Sequence, residues 1–338
     1  MLEIRPYKTG DEAGFQKLDQ LVEIHPWNRR NLDNWHWKFK GSNPAGEAIM
    51  IYAENDGAII GHFAAIPMNY WLDGKEIVGS HSAAMMIDPA WQNKGLIKFV
   101  ADRLIKELEE KKIPFTYGYP NDNAYDLHIK LLGYEDATLQ RLFIKIMQNN
   151  EDNISVTTLE GLNWQKIERF NDQVNVLWEK AKNDFRAIVI RNSAFLNWRY
   201  LDRPDMPYYA FGAFNGDILE GYCVLKIYQG ENVLRGHFID LFTHDGNSAC
   251  GRFLVENGLK YFGSKGVDEV TLWMQGSPFI EDILKKFDFR VGGVSGGDWP
   301  PSSTRPMICR FNVEPGKYRP WLNEKNWYFT MGDTLEIY

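Results

Sequence analysis

Ser80–Tyr134, which reads SHSAAMMIDPAWQNKGLIKFVADRLIKELEEKKIPFTYGYPNDNAYDLHIKLLGY, decides the fold. An apolar run over Ser80–Ile87 reads as a strand that stops at Asp88-Pro89. The turn Gln92-Asn93-Lys94-Gly95-Leu96-Ile97 follows and opens a helix over 95–111. Leu96, Val100, Leu104 and Leu108 recur every four residues along it, with Ile97, Phe99 and Ile105 widening the stripe. Asp102, Arg103, Glu107 and Glu110 fall off that stripe, the pattern of a helix laid on a core. A second strand over 114–119 runs into Gly118-Tyr119-Pro120-Asn121, and a short helix closes at Leu132-Gly133-Tyr134. A strand feeding a glycine turn that starts a helix aims several main-chain N–H groups at one point. The helix dipole adds positive potential there, so a pyrophosphate suits the spot.

Outward from this stretch, the chain reads as two distant copies of one unit. Asn34-Trp35-His36-Trp37-Lys38-Phe39 is echoed by Asn197-Trp198-Arg199-Tyr200-Leu201-Asp202. A strand, a polar turn (Asn55-Asp56-Gly57; Asn215-Gly216-Asp217) and a second strand follow each echo, and such turns tolerate the positive φ of a hairpin. Strand, helix, strand and short helix then repeat, with 234–242, 248–263 and 269–275 answering 80–87, 95–111 and 114–119. The polar segment Gln148–Gly161 is the expected join, giving a first domain over 1–148, a linker over 149–164 and a second domain over 165–338. Short strands separated by helices, without strict alternation, predict an α/β fold with a mixed sheet and helices on its faces.

Bulk properties narrow the function classes. The 338 residues are 44% hydrophobic and 14% aromatic, ample for packed cores. A net charge of −7 argues against nucleic acid as a partner. No stretch is apolar for long enough to span a bilayer, and the first residues lack the basic-then-apolar pattern of a secretory signal, so a cytoplasmic protein is expected. Cys223, Cys250 and Cys309 are too scattered for a disulfide framework, and the seven histidines form no ligand-spaced pair, so no metal is expected.

The Ser80–Tyr134 stretch resembles the acyl-CoA-binding half of the GNAT N-acyltransferases. Their pyrophosphate turn reads Arg/Gln-x-x-Gly-x-Gly/Ala; Gln92 and Gly95 match, while Ile97 stands where a small residue is usual. The Gly-aromatic-Pro-Asn run at Gly118–Asn121 resembles one subgroup of the family. The resemblance implies tandem GNAT-like folds and acetyl-CoA as acyl donor. It places the donor along the backbone of Met86 and Ile87, over the turn residues Gln92, Asn93, Lys94, Gly95, Leu96 and Ile97, and beside Asn121 and Asn123. Family members draw a proton donor from a tyrosine four residues before the helix-ending glycine; that place here is Ile129, leaving Tyr125 and Tyr134 as substitutes. For the base, His81 is the first candidate, since imidazole titrates near working pH, and Ala83 and Met85 should share its face of the strand. Glu23, His25 and His62 are other options for the base, and Trp27, Trp35 and Trp37 either line an acceptor groove or pack. The second copy has Thr243–Ala249 in place of the phosphate turn and is expected to have lost cofactor binding. The apolar stretch from Trp327 to the C-terminus is expected to dock as a strand near the join.

The implied activity is CoA-dependent N-acyl transfer, acetyl in the first instance, to a small primary amine such as an amino sugar or amino acid derivative. Two alternatives stand beside it: a Fem-like aminoacyl-tRNA-dependent peptidyl transferase, and a non-catalytic GNAT-fold ligand-binding module. The oligomeric state is not legible in the sequence.

Overall fold

The computed structural model describes residues 1–22, 31–147, 161–230, 232–244, 246–275, 278–292, 304–322 and 326–335. The first half runs β1 (Leu2–Pro6), α1 (Asp11–Val22), α2 (Leu32–Trp35), β2 (Ile49–Asn55), β3 (Ala58–Leu72), β4 (Lys75–Ile87), α3 (Leu96–Glu110), β5 (Phe115–Gly118), α4 (Asp122–Leu131) and β6 (Glu135–Ile146). The second half repeats the order, with β8 added among the described residues, as β7 (Leu162–Ile167), α5 (Asp172–Ala181), β8 (Ala187–Val189), α6 (Ser193–Leu196), β9 (Tyr209–Asn215), β10 (Ile218–Gln229), β11 (Leu234–Thr243), α7 (Ser248–Ser264), β12 (Glu269–Gln275) and α8 (Pro278–Lys286). β13 (Arg290–Val291), β14 (Thr304–Phe311), α9 (Pro315–Tyr318) and β15 (Trp327–Thr330) complete the described chain.

The internal echo is structural. Asn31 and Asn192 cap α2 and α6 in the same way, their side chains accepting from Asn34 N at 2.7 Å and Phe195 N at 2.9 Å. Each helix then widens into a π-turn, over His36–Lys40 and Asn197–Leu201. The two turns meet: Trp37 Nε1 donates to the Trp198 carbonyl at 2.6 Å, and Trp198 Nε1 donates to the Trp37 carbonyl at 3.2 Å. Their indoles stack at 5.5 Å. This reciprocal pair makes Trp37, not Trp35, the counterpart of Trp198, a shift of two residues from the alignment the sequence suggests. Trp35 is instead fully buried beside Phe15 and Phe39, so packing is its use.

Strands from both halves form one mixed sheet. β4 and β5 are parallel, as are β11 and β12, and most other neighbours are antiparallel. The halves exchange strands. β14, from the second half, lies between β5 and β6 of the first. The far end of β6, Leu142–Ile146, pairs with β12 of the second. β15 pairs with β12 and β8, and β8 with β3. The strands β3, β8, β15, β12, β6, β14, β5 and β4 therefore close a ring. The main core fills the ring and its continuation under α1, and a smaller core lies between the sheet and α3.

Candidate active site

The parallel ladder of β4 and β5 is short. Ser80 pairs with Thr116 and His81 with Tyr117, after which the strands diverge. The divergence has a local cause. Against β3, His62 pairs with Met86 but Ala64 pairs with Ala83, so Phe63 faces both Ala84 and Met85. Ala84 adopts φ 51°, a left-handed conformation that a side chain disfavours, and the extra residue bends the strand. His62 sits against this bulge with Nδ1 2.7 Å from the Ala84 carbonyl, so Nδ1 carries the proton and donates. The imidazole is fully buried in a box of Phe15, Phe39 and Tyr52 rings. Its surroundings fit a positioning role better than that of a base reaching substrate.

The bulge also re-aims β4. His81 and Ala83 face the main core, but beyond the bulge Ala84 and Met86 do so, while Met85 and Ile87 turn to the core under α3. Met85 therefore does not share the face of His81, contrary to simple alternation. The small-residue run Ser82-Ala83-Ala84, poor material for a strand, is the signal in the sequence that marks the place.

β4 leads to the turn expected to hold phosphate. Asp88 caps a short 3₁₀ turn, accepting from Ala90 N at 2.8 Å, and Gln92 Nε2 reaches back to the Ile87 carbonyl at 3.1 Å. Asn93 and Gly95 both adopt positive φ, 59° and 76°. A Cβ added at Gly95 would meet open space, so backbone conformation is what glycine supplies here. Gln92, Asn93, Lys94 and Gly95 are exposed, whereas Leu96 is buried and anchors the start of α3. Ile97 is half-buried, so the residue that departs from the family pattern is not the one in the core. Across the opening, the Asn121 side chain caps α4 by accepting from Ala124 N at 2.9 Å, and Asn123 is exposed on the first turn.

Strand alternation puts His81 and Ser82 on opposite faces of β4. His81 is buried inside the ring against Tyr117, at 4.9 Å between ring centres, with Tyr119 at 6.4 Å. Tyr134 is buried on the other face; burial, opposed by the influence of Ser82, pushes its pKa up. Tyr125 donates its phenol hydrogen to Asp136 at 2.6 Å, which raises its pKa. The structure thus brings Tyr134 to the β4–β5 divergence and holds Tyr125 to Asp136, while His81 faces the ring interior. Glu23, His25 and Trp27 lie outside the described residues.

The second copy keeps the same divergence but fills it. β11 and β12 pair from Arg235–Glu269 to Phe238–Leu272, and Ile239 forms the bulge against β10. Past that point β15 enters: Met274 and Gln275 pair with Thr330 and Phe329. The Tyr328 hydroxyl donates to the Leu241 carbonyl, and Thr330 Oγ1 donates to Asp240 at 3.1 Å. Buried Arg191 ties the insertion down, 2.8 Å from Asp333 and 3.5 Å from Asp240. Tyr200 and Tyr222 also donate to Asp240. The C-terminal strand therefore docks between the copies, in the place that corresponds to the opening of the first. No described strand enters the opening between β4 and β5.

Residues 3–132 match the family model of the GNAT acetyltransferase domain. No curated protein matches the sequence. Among solved structures, a GCN5-related N-acetyltransferase from Anabaena variabilis is 15% identical, with a TM-score of 0.65 over 92% of this chain and 73% of that one. A tandem GNAT protein from the clavulanic acid biosynthesis pathway is 13% identical, with a TM-score of 0.63 over 93% of this chain and 99% of that one. N-myristoyltransferase from Saccharomyces cerevisiae, with bound myristoyl-CoA, is 11% identical, with a TM-score of 0.57 over 92% and 79%. With the paired divergences, the bulges and the reciprocal Trp37–Trp198 contact, these likenesses extend the fold beyond the matched segment. Residues 3–132 are thus similar to the GNAT acetyltransferase domain, and the described chain has the tandem GNAT fold.

Proposed function

We propose that the protein transfers an acyl group, acetyl in the first instance, from coenzyme A to a small primary amine such as an amino sugar or an amino acid derivative, using the first copy alone. The observation that carries this reading is the contrast between the two divergences. The first leads past a bulge to the exposed Gln92–Gly95 turn at the start of α3, while the second is filled by the chain's own β15. In this reading the amides of Gln92, Asn93, Lys94, Gly95, Leu96 and Ile97 hold the pyrophosphate. The backbone of Met86 and Ile87 follows the pantetheine arm, and Asn121 and Asn123 flank it.

The amine attacks the thioester carbonyl, so a C–N bond forms, the C–S bond breaks and the sulfur leaves as a thiolate that takes a proton. A main-chain amide at the Ala84–Met86 bulge stabilises the developing oxyanion. Tyr134 suits proton donation better than Tyr125, because its phenol stands beside Ser82 where the strands part, whereas that of Tyr125 is held by Asp136. The proton the amine must lose reaches His81, buried on the opposite face of β4, only through a relay such as an ordered water. The acceptor class and the cytoplasmic setting belong to the same proposal.

Calorimetric titration of acetyl-CoA and myristoyl-CoA into the wild type and a Lys94→Glu variant tests the reading. Lys94 is exposed, so the variant keeps its fold while adding a carboxylate beside the phosphates. One site per chain, weakened about tenfold or more in the variant, is the expected result, and the tighter ligand sets the acyl length. Absence of binding by either thioester would sink the proposal.

A further inference from the structure

Building on the acyl-transfer reading, we infer that His62 is a positioning residue: its hydrogen bond turns the Met85 amide toward the opening between β4 and β5, where that amide polarises the thioester carbonyl. His62 belongs to β3, and its Nδ1–H donates to the Ala84 carbonyl at 2.7 Å. β3 and β5 flank β4 on opposite sides. The peptide joining Ala84 to Met85 is trans, since no cis bond occurs among the described residues. A trans peptide points its carbonyl and its N–H in opposite directions. With the Ala84 carbonyl drawn toward β3, the Met85 N–H points away from β3, to the side on which β5 diverges.

This orientation is strained. Ala84 is held at φ 51°, where its Cβ is disfavoured, and such a conformation persists only when its surroundings enforce it. The imidazole supplies that restraint. It is fully buried, with the ring centres of Tyr52, Phe15 and Phe39 at 4.7, 4.8 and 5.7 Å. A donor locked by packing passes its direction on to the group it bonds. Without that bond the Ala84–Met85 peptide relaxes toward ordinary strand geometry, which rotates the Met85 amide out of the opening. The second copy lacks the device. Tyr222 stands at the place in β10 that His62 holds in β3, but its phenol donates to the Asp240 carboxylate at 3.1 Å. Ile239 makes the bulge there, yet no residue of β11 adopts positive φ. Histidine and left-handed backbone occur together in the copy whose opening no described strand enters.

Infrared difference spectra of bound acetyl-CoA, isotope-labelled at the acetyl carbonyl, test this role in wild type, His62→Phe and His62→Asn. Phenylalanine keeps the ring contacts and removes the donor. Asparagine places a side-chain N–H where Nδ1 stands and gives up the ring. A hydrogen bond lowers a carbonyl's frequency, so a downshift from free acetyl-CoA is expected in the wild type. The downshift should be lost in His62→Phe and kept in His62→Asn, with the Kd for acetyl-CoA within about threefold across the set. A histidine that merely fills the core would give the reverse order, with phenylalanine spared and asparagine impaired. If His62→Phe does not fold, His62→Asn decides alone. A downshift retained despite a lower melting temperature supports the role, and a lost one overturns it. Equal downshifts in His62→Phe and wild type overturn it too, as does a wild type that binds acetyl-CoA with no downshift. A wild type that binds no acetyl-CoA would sink the acyl-transfer reading and this role with it.

Discussion

Buried Lys226 has a measurable signature in stability. Burial, aided by Arg203 and Arg199 and opposed by Tyr208 and Asp205, pushes its pKa down to about 8 from the usual 10.5. Below pH 8 both the folded and unfolded chains carry the proton, and the folded state bears the full penalty of an enclosed charge. Between about 8 and 10.5 the unfolded chain still holds a proton that the folded chain has released, so stability rises with pH on this account. Lys226→Met has similar volume and no charge, so it is expected to be more stable than wild type at pH 7, by about 2–4 kcal/mol. That advantage should close as pH approaches 10.5. Urea unfolding of both proteins across pH 7 to 10.5 measures the difference, and subtraction removes other groups that titrate alike in both. A gap that stays constant with pH would show that the ammonium is not the group responsible. His62 shows the contrasting use of a buried polar side chain, since its hydrogen bond to Ala84 holds a strained backbone in place.

At the level of elements, the two copies differ less in their strands than in what enters them. The turn Met331–Asp333 after β15 passes so close to β11 that a Cβ on Gly332 would lie 2.0 Å from the Tyr200 hydroxyl and 3.3 Å from the Ile239 carbonyl. Tyr200 is buried and bonded to Asp240, so it has little room to yield. Gly332→Ala should therefore lift the insertion and destabilise the protein by about 1–3 kcal/mol or more, read as a lower urea midpoint. An unchanged midpoint would mean the insertion does not bear on the β11 bulge. The strands β2–β5 and β9–β12 and the helix α3 were legible in the sequence because their apolar periods are long, and the turn before α3 because Gly95 marks a positive φ, whereas β1, β6, β7, β8, β13 and β14 were not. The bulge at Ala84 was not, since simple alternation carries no sign of an extra residue and only the small run Ser82-Ala83-Ala84 marks it. The place of β15 was legible only as an apolar segment needing cover, because docking depends on partners more than 80 residues away, such as Leu241. The echo was found two residues out of register, because Trp35 and Trp37 are alike in sequence and only the reciprocal hydrogen bonds separate them.

Across the whole molecule, strand exchange joins the copies more tightly than a linker would. β5 pairs on one side with β4 and on the other with β14, which belongs to the second half. β6 meets β14 along Glu135–Arg141 and β12 along Leu142–Ile146, so its pairing partners come from the second half. A chain ending at residue 147 would leave one edge of β5 and β6 itself without these partners, along with the apolar faces that Ile308 and Trp273 cover. Each buried main-chain group left unpaired costs about 1–3 kcal/mol, and several together approach the roughly 5–15 kcal/mol that stabilises a typical domain. Residues 1–147 alone should therefore lack a cooperative thermal transition and aggregate through the open β5 and β6 edges. Co-expression with residues 148–338 as a separate chain should restore the fold, because the exchanged strands need no covalent link to pair. The intact protein should melt in one calorimetric transition, with van't Hoff and calorimetric enthalpies in agreement. A monomeric 1–147 fragment that melts cooperatively near the temperature of the full chain would show that the exchanged strands decorate two self-sufficient domains. Failure of the fragment with rescue by its partner would make the ring of strands the folding unit. The second copy would then serve the first by completing its sheet.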